Sequence, residues 1–307
     1  MPQHISIPRD DQTLAADLYR PDADVPPGGL PAVVLSTPGS SVKGQIGANY
    51  AARLARRGYV ALVFDPLHQG ESSGEPRDRE DPYRRSEDVS YAVDELLRTP
   101  GVDPRRIGLL GICAGGGYGV FAARTDHRIA AVGTVVATDM GRAWRSPAMA
   151  PEGAAAALDD LAADRTREVV EGVDARVAWL PDTPAEAQAA GLTDRDTTEA
   201  VTYYRTPRGH DEHSTNRRLR RSDSLLIGFD AFHLVEQLLT QPLQVVVAGR
   251  PGGVTGQYEA GRELYDRAPN AVDLMVVEGA GHYEMYDEPR YVDQAVERLA
   301  AFYDTHL

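Results

Sequence analysis

The 307-residue sequence predicts an α/β fold, a mostly parallel sheet flanked by helices and interrupted by a helical insertion. Short β-branched and apolar runs alternate with amphipathic helical stretches over residues 1–141 and return over 241–307, as strand–helix–strand units do. Residues 142–240 break that alternation: they are rich in Ala, Asp, Glu and Arg, interrupted by Pro and Gly, and show no convincing strand. At 42% hydrophobic and 25% charged, the composition is that of a globular chain able to bury a core.

Taken in order, Leu14 to Tyr19 reads as an early strand, and Ala32 to Ser36 and Val60 to Phe64 as buried strands of a parallel sheet. Between the last two, Tyr50 to Arg57 reads as a helix stopped by Gly58. Val89, Ala92, Val93 and Leu96 fall on one helical stripe. Ile107 to Leu110 and Ala131 to Ala137 are strands separated by a helix of small residues starting near Ala114. Strand signals return at Leu243 to Val247 and Leu274 to Val277. The last helix gathers Val292, Ala295, Val296, Leu299 and Phe302 on one face.

Charge narrows the partners. The net charge of -14 disfavours nucleic acid and anionic membrane, which demand basic patches. The one basic run, Arg217 to Arg221, is expected to be a solvated or salt-bridged face. A single cysteine leaves no intramolecular disulfide and no cysteine-based zinc site, and no metal-binding or dinucleotide motif appears. No cofactor is expected. The start Met1-Pro2-Gln3-His4 lacks a signal-peptide pattern and no stretch approaches the ~20 apolar residues of a span, so a cytoplasmic location is expected.

The chemistry concentrates at Gly111-Ile112-Cys113-Ala114-Gly115, which follows a buried strand and opens a helix. A nucleophile on so sharp a turn needs glycines two residues to either side, because the backbone folds back on itself there. Free N–H groups at the helix start favour a thiolate, lowering the thiol pKa from about 8.5.

With this elbow, the chain resembles the α/β-hydrolase fold, and most closely dienelactone-hydrolase-like and polyketide-transferase-like members with G-x-C-x-G elbows. The likeness includes Phe64-Asp65 with Gly70-Glu71-Ser72, the segment Tyr203-Tyr204-Arg205, and Gly279-Ala280-Gly281-His282. The resemblance implies a catalytic base at His282, with nucleophile first and histidine last along the chain. His68, His210, His213 and His233 do not follow a terminal strand and are weaker candidates. It also implies an oxyanion hole from the Ala114 N–H and the loop Pro38-Gly39-Ser40-Ser41, with Gly39 and Ser40 as its donors. Ser40 serves there either through backbone geometry or through its hydroxyl.

The acid departs from the pattern. The usual position, the loop Gly249 to Gly256, holds no Asp or Glu, and Glu259 falls in the following helix. Asp139, after the preceding strand, is the replacement considered; the competing reading is a helix cap at the start of the insertion. Asp65 reads as structural, holding the loop to Ser72.

The resemblance makes 142–240 a helical cap, or lid, on a core of 1–141 and 241–307. Trp144, Tyr203 and Tyr204 are the expected substrate contacts, with Trp179, Phe229 and Phe232 adding aromatic area. The function expected is acyl transfer through an acyl-Cys113 thioester on an ester, thioester or lactone. The partner is a small-molecule or carrier-bound acyl substrate, and a homodimer is the assembly considered. Two alternatives stand beside it: a biosynthetic C–C or cyclisation enzyme on the same pair, and a non-catalytic binding protein on a hydrolase scaffold.

Overall fold

The computed structural model describes residues 1–250, 253 and 255–307. The chain begins with strands β1 (Gln3–Arg9), β2 (Gln12–Tyr19) and β3 (Leu30–Ser36), then α1 (Ile46–Arg56), β4 (Val60–Phe64), α2 (Pro82–Arg98), β5 (Val102–Ile112), α3 (Ala114–Ala123) and β6 (Ala131–Val135). Between β6 and the next core strand lie α4 (Met140–Trp144), α5 (Ala154–Glu171), β7 (Arg176–Ala178), α6 (Pro184–Ala189), α7 (Arg195–Tyr204), β8 (Arg217–Leu219), α8 (Ser222–Ile227) and α9 (Val235–Leu238). The core resumes with β9 (Leu243–Ala248), α10 (Gln257–Arg267), β10 (Ala271–Val277), α11 (Glu284–Asp287) and α12 (Pro289–His306).

Eight strands form one sheet in the order β1-β2-β4-β3-β5-β6-β9-β10. β1 and β2 run antiparallel to their neighbours, and the strands from β4 to β10 are parallel. The central strands β4, β6 and β9 are buried throughout, which is why they read as continuous apolar runs and not as alternating ones. Pairing of Ser36 with Gly111, Ile112 with Val135, and Val135 with Val246 aligns the carboxyl ends of four strands. The loops leaving that edge therefore converge, and in open α/β sheets ligands bind there.

Helix α1 buries Ile46, Tyr50, Ala51 and Leu54, starts one turn earlier than its sequence suggests, and ends at Gly58 with φ +98°. Helix α12 buries the expected stripe of Val292, Ala295, Val296, Leu299 and Phe302. Three strands escape the sequence reading. β1 is a half-exposed edge strand with polar residues, and β7 and β8 are three-residue, arginine-bearing strands paired antiparallel inside the insertion. β6 stops at Val135, two residues short of its expected end, because Val136 takes φ +44° and turns the chain away. No described helix is long and apolar enough to cross a membrane.

Candidate active site

Cys113 stands between β5 and α3 with φ +54° and ψ -124°, backbone angles that cost a non-glycine residue free energy and persist only where surroundings enforce them. The enforcement is visible. A Cβ on Gly111 would meet the Gly115 carbonyl oxygen at 2.6 Å, and one on Gly115 would meet the Ser36 carbonyl oxygen at 2.1 Å. Only glycine permits the tight turn, as its spacing predicts. Cys113 N–H donates to Val135 and its carbonyl accepts from Gly116 and Thr138, pinning the elbow to the sheet edge.

The thiol faces a cavity of about 420 Å³. Gly39, Ser40 and Ala114 line it beside Cys113, so the expected oxyanion donors share its floor. Arg85, buried on α2, donates to the carbonyls of Thr37 (2.7 Å) and Pro38 (3.0 Å) and so fixes that loop. Sequence reasoning gave no sign of Arg85. Trp144, Trp179 and Tyr204 line the walls with Met140, Met149 and Leu192. Tyr203 does not. It packs edge-on against Tyr204 and Tyr286, with centroids at 4.9 and 5.0 Å, because its position one residue along α7 turns it into the protein. Phe229 and Phe232 are fully buried, Phe229 in a cluster with Tyr83, Tyr118 and Phe121.

His282, 2% exposed, follows β10 in the expected turn. Among the described residues no hydrogen bond joins it to the Cys113 sulfur. Its Nε2 instead lies 3.1 Å from the Tyr286 hydroxyl; Tyr286 lines the same cavity as Cys113, whose sulfur hydrogen-bonds Thr138 Oγ1 at 3.8 Å. Tyr286 thus touches the imidazole and borders the cavity that holds the thiol. His282 lies in the turn two residues before α11 and Tyr286 within that helix; the closeness of the two in His282-Tyr283-Glu284-Met285-Tyr286 is the signal that sequence reasoning passes over.

Burial sets the charge state. It pushes the Cys113 thiol above its ordinary value, against the nearby Ala114 N–H and the Tyr286 and Thr138 hydroxyls, which favour the thiolate. The lowering expected from the helix N-terminus is thus outweighed by desolvation. Burial alone drives His282 down to about 3. The resting pair is a neutral thiol and a neutral imidazole.

Asp139 does not orient His282. Its carboxylate caps α4, accepting from the N–H groups of Gly141 (2.9 Å) and Arg142 (3.3 Å), while His282 Nδ1 is buried with no partner among the described residues. A free helix start so close to the strand end claims the carboxylate first. Within the Gly249 to Gly256 loop, Pro251, Gly252 and Val254 lie outside the described residues. Asp65 is structural as expected: it accepts from Lys43 N–H (2.7 Å), Lys43 Nζ (2.9 Å) and Glu71 N–H (2.9 Å). Arg217 to Arg221 is also a paired face. Arg217 meets Asp182, Arg218 meets Asp223, Arg220 meets Asp164, and Arg221 meets Glu168 and Asp174.

The chain is similar to the uncharacterized protein YcjY of Escherichia coli K12, with 36% identity over 296 residues covering 96% of this chain and 95% of YcjY. The crystal structure of hypothetical protein PA2218 from Pseudomonas aeruginosa superposes with a TM-score of 0.87 at 28% identity, covering 100% of this chain and 94% of that one. Shorter matches reach proteins named as thiohydrolases and polyketide transferases. Among them is thiohydrolase aneE of Aspergillus aculeatus, 39% identical over 100 residues, which are 32% of this chain and 31% of aneE. A model of the alpha/beta hydrolase family matches residues 34–295. That span runs from β3 to α12 and holds the elbow, the converging loops and the His282 turn, so the chain belongs to the alpha/beta hydrolase family.

Proposed function

We propose that this enzyme is a cysteine-dependent hydrolase or acyltransferase that works through an acyl-Cys113 thioester. The observation behind this reading is the strained thiol, held at φ +54° on the floor of a cavity at the sheet's carboxyl edge. The thiol proton passes to the Tyr286 oxygen as the Tyr286 proton passes to His282 Nε2. Sulfur then attacks the acyl carbon of an ester, thioester or lactone. The carbonyl electrons move to oxygen, facing the Ala114 N–H and the Gly39–Ser40 loop, where such donors stabilise developing charge. Collapse expels the alcohol or thiol, which recovers the proton from His282. Water or a second nucleophile then attacks the thioester, giving its proton to His282, and Cys113 leaves as the thiolate, which takes that proton back through Tyr286 to restore the neutral pair.

The cavity supports an apolar acyl group, small or carrier-borne. Its walls are Trp144, Trp179, Leu180, Leu192 and Tyr204, and its one lining guanidinium, Arg218, is already bidentate to Asp223 (2.7 and 3.2 Å). Residues 142–240, which supply most of those walls, act as a lid, and the protein works in the cytoplasm. The relatives named thiohydrolases and polyketide transferases support hydrolysis and transfer alike.

The test is mass spectrometry of the protein after brief mixing with p-nitrophenyl hexanoate. An acyl adduct on Cys113 and release of nitrophenol are expected. Cys113→Ala should lose both with its circular dichroism unchanged, and Cys113→Ser should retain little, since a hydroxyl depends wholly on base assistance. A Cys113→Ala variant with most of the activity would sink the covalent mechanism, and a wild-type protein with neither adduct nor turnover would favour a binding role.

A further inference from the structure

His282 is left with an unmet need. In the tautomer whose Nε2 accepts from Tyr286, the ring proton lies on Nδ1, a buried donor with no acceptor among the described residues. A buried donor left without an acceptor is destabilising. Protonating the ring would add a buried positive charge, and burial alone already opposes that charge. A carboxylate is what the site lacks.

Helix α7 of the insertion brings three to this region. Asp194 is spent as the helix cap, accepting from Thr197 N–H at 2.9 Å. Glu199 is paired with Arg195 at 2.6 Å through one oxygen; the other is buried, unpartnered and packed toward Gly281. Asp196 is 5% exposed and forms no ion pair among the described residues. It accepts from the Thr255 hydroxyl (2.6 Å) and N–H (3.3 Å). A Cβ on Gly253 would lie 1.9 Å from its Oδ2. The loop after β9 therefore admits the carboxylate only because residue 253 has no side chain. Burial raises the Asp196 pKa, opposed by the Thr255 hydrogen bonds, and its charge acts on both Cys113 and Tyr283.

We infer that Asp196, delivered from helix α7 of the insertion into the gap left by Gly253, is the carboxylate that serves His282. It is a positioning residue and rests on the Cys113–His282 reading above. With thiol and imidazole both neutral, Asp196 is held by Thr255, and among the described residues no hydrogen bond joins it to His282. When the thiol proton reaches Nε2, the imidazolium keeps its proton on Nδ1, and Asp196 balances that charge. The lid thereby completes the site, with α7 furnishing the acid as well as Tyr204.

Cys113 is the only cysteine, so alkylation by iodoacetamide reports on it alone, with no substrate needed. For Asp196→Asn the expected result is alkylation slowed ~10-fold near neutral pH, a smaller loss than a serine triad would show. In a His282→Ala background the same substitution should have no further effect. A bystander charge predicts the opposite sign, because removing it would ease thiol ionisation and speed alkylation. Acceleration, no change, or slowing that persists without His282 would each overturn the assignment. So would slowing by Glu199→Gln with Asp196→Asn neutral, which would give the role to Glu199. If Asp196→Asn does not fold, Asp196→Glu reads the same role: a retained carboxylate should hold the rate within ~3-fold, and a drop to the His282→Ala rate overturns the proposal. Failure of the parent reading looks different: His282→Ala alone would then leave alkylation unchanged.

Discussion

At the residue scale the sharpest contrast is between Cys113 and Tyr286. The cysteine was legible because its turn imposes glycines at 111 and 115, so sterics wrote the motif into the sequence. Tyr286 imposes nothing on its neighbours. Its proposed role comes from a one-turn helix after His282 that brings its hydroxyl to 3.1 Å from Nε2, beside the cavity of Cys113. Asp196 is hidden for a similar reason: the pairing of α7 with the loop after β9 spans some sixty residues and leaves only a glycine as trace. The proposed role makes Tyr286→Phe informative. Loss of the hydroxyl breaks the path from thiol to imidazole, and proton-transfer groups commonly contribute about 10²-fold or more. Turnover of p-nitrophenyl hexanoate should fall by about that factor, with KM changed far less than kcat. An unaltered kcat would mean that His282 reaches the sulfur directly.

At the element scale, long periodic helices and buried strands were read from sequence, and pieces held by tertiary contacts were not. α12 and β9 are set by apolar patterns that have one low-energy packing. β7 and β8 have no such pattern; they pair over three residues, and Arg218 of β8 adds a hydrogen bond to the Ala178 carbonyl of β7 at 2.9 Å. Asp139 shows how an element can claim a residue that sequence position offers to catalysis. As an N-cap it predicts a specific pair of outcomes. Asp139→Asn keeps a good capping side chain, so stability should change by only a few tenths of a kcal/mol and turnover by less than ~2-fold. Asp139→Ala should cost about 1 kcal/mol in chemical denaturation. A turnover loss of ~10-fold or more in the Asn variant would restore the carboxylate to the catalytic machinery.

At the scale of the whole molecule, two histidines buried in neutral form couple folding to pH. Burial drives His282 to about 3. For His68 burial acts first, with Arg79 and Arg84 adding to it against the nearby Gly74 and Pro76 backbone, and the ring falls to about 4. In the unfolded chain both rings titrate near 6.5. As pH falls below that value the unfolded state takes up protons first, so stability declines until the folded pKa values are reached. At about pH 5 each ring should have removed roughly 2 kcal/mol. The chain's excess of 46 acidic over 32 basic residues works the other way, since acid relieves their mutual repulsion. So do Asp88, Asp139 and Asp196, whose pKa values burial raises, because the folded state then gains protons first. These opposing terms are common to wild type and variants, so a comparison of variants isolates the histidines. His68→Asn, which tolerates the φ of +72° at that position, should lose roughly 2 kcal/mol less than wild type between about pH 7 and pH 5 in urea unfolding. An identical pH dependence in wild type and His68→Asn would show that His68 is not held neutral by burial, and the acid sensitivity would have to lie elsewhere.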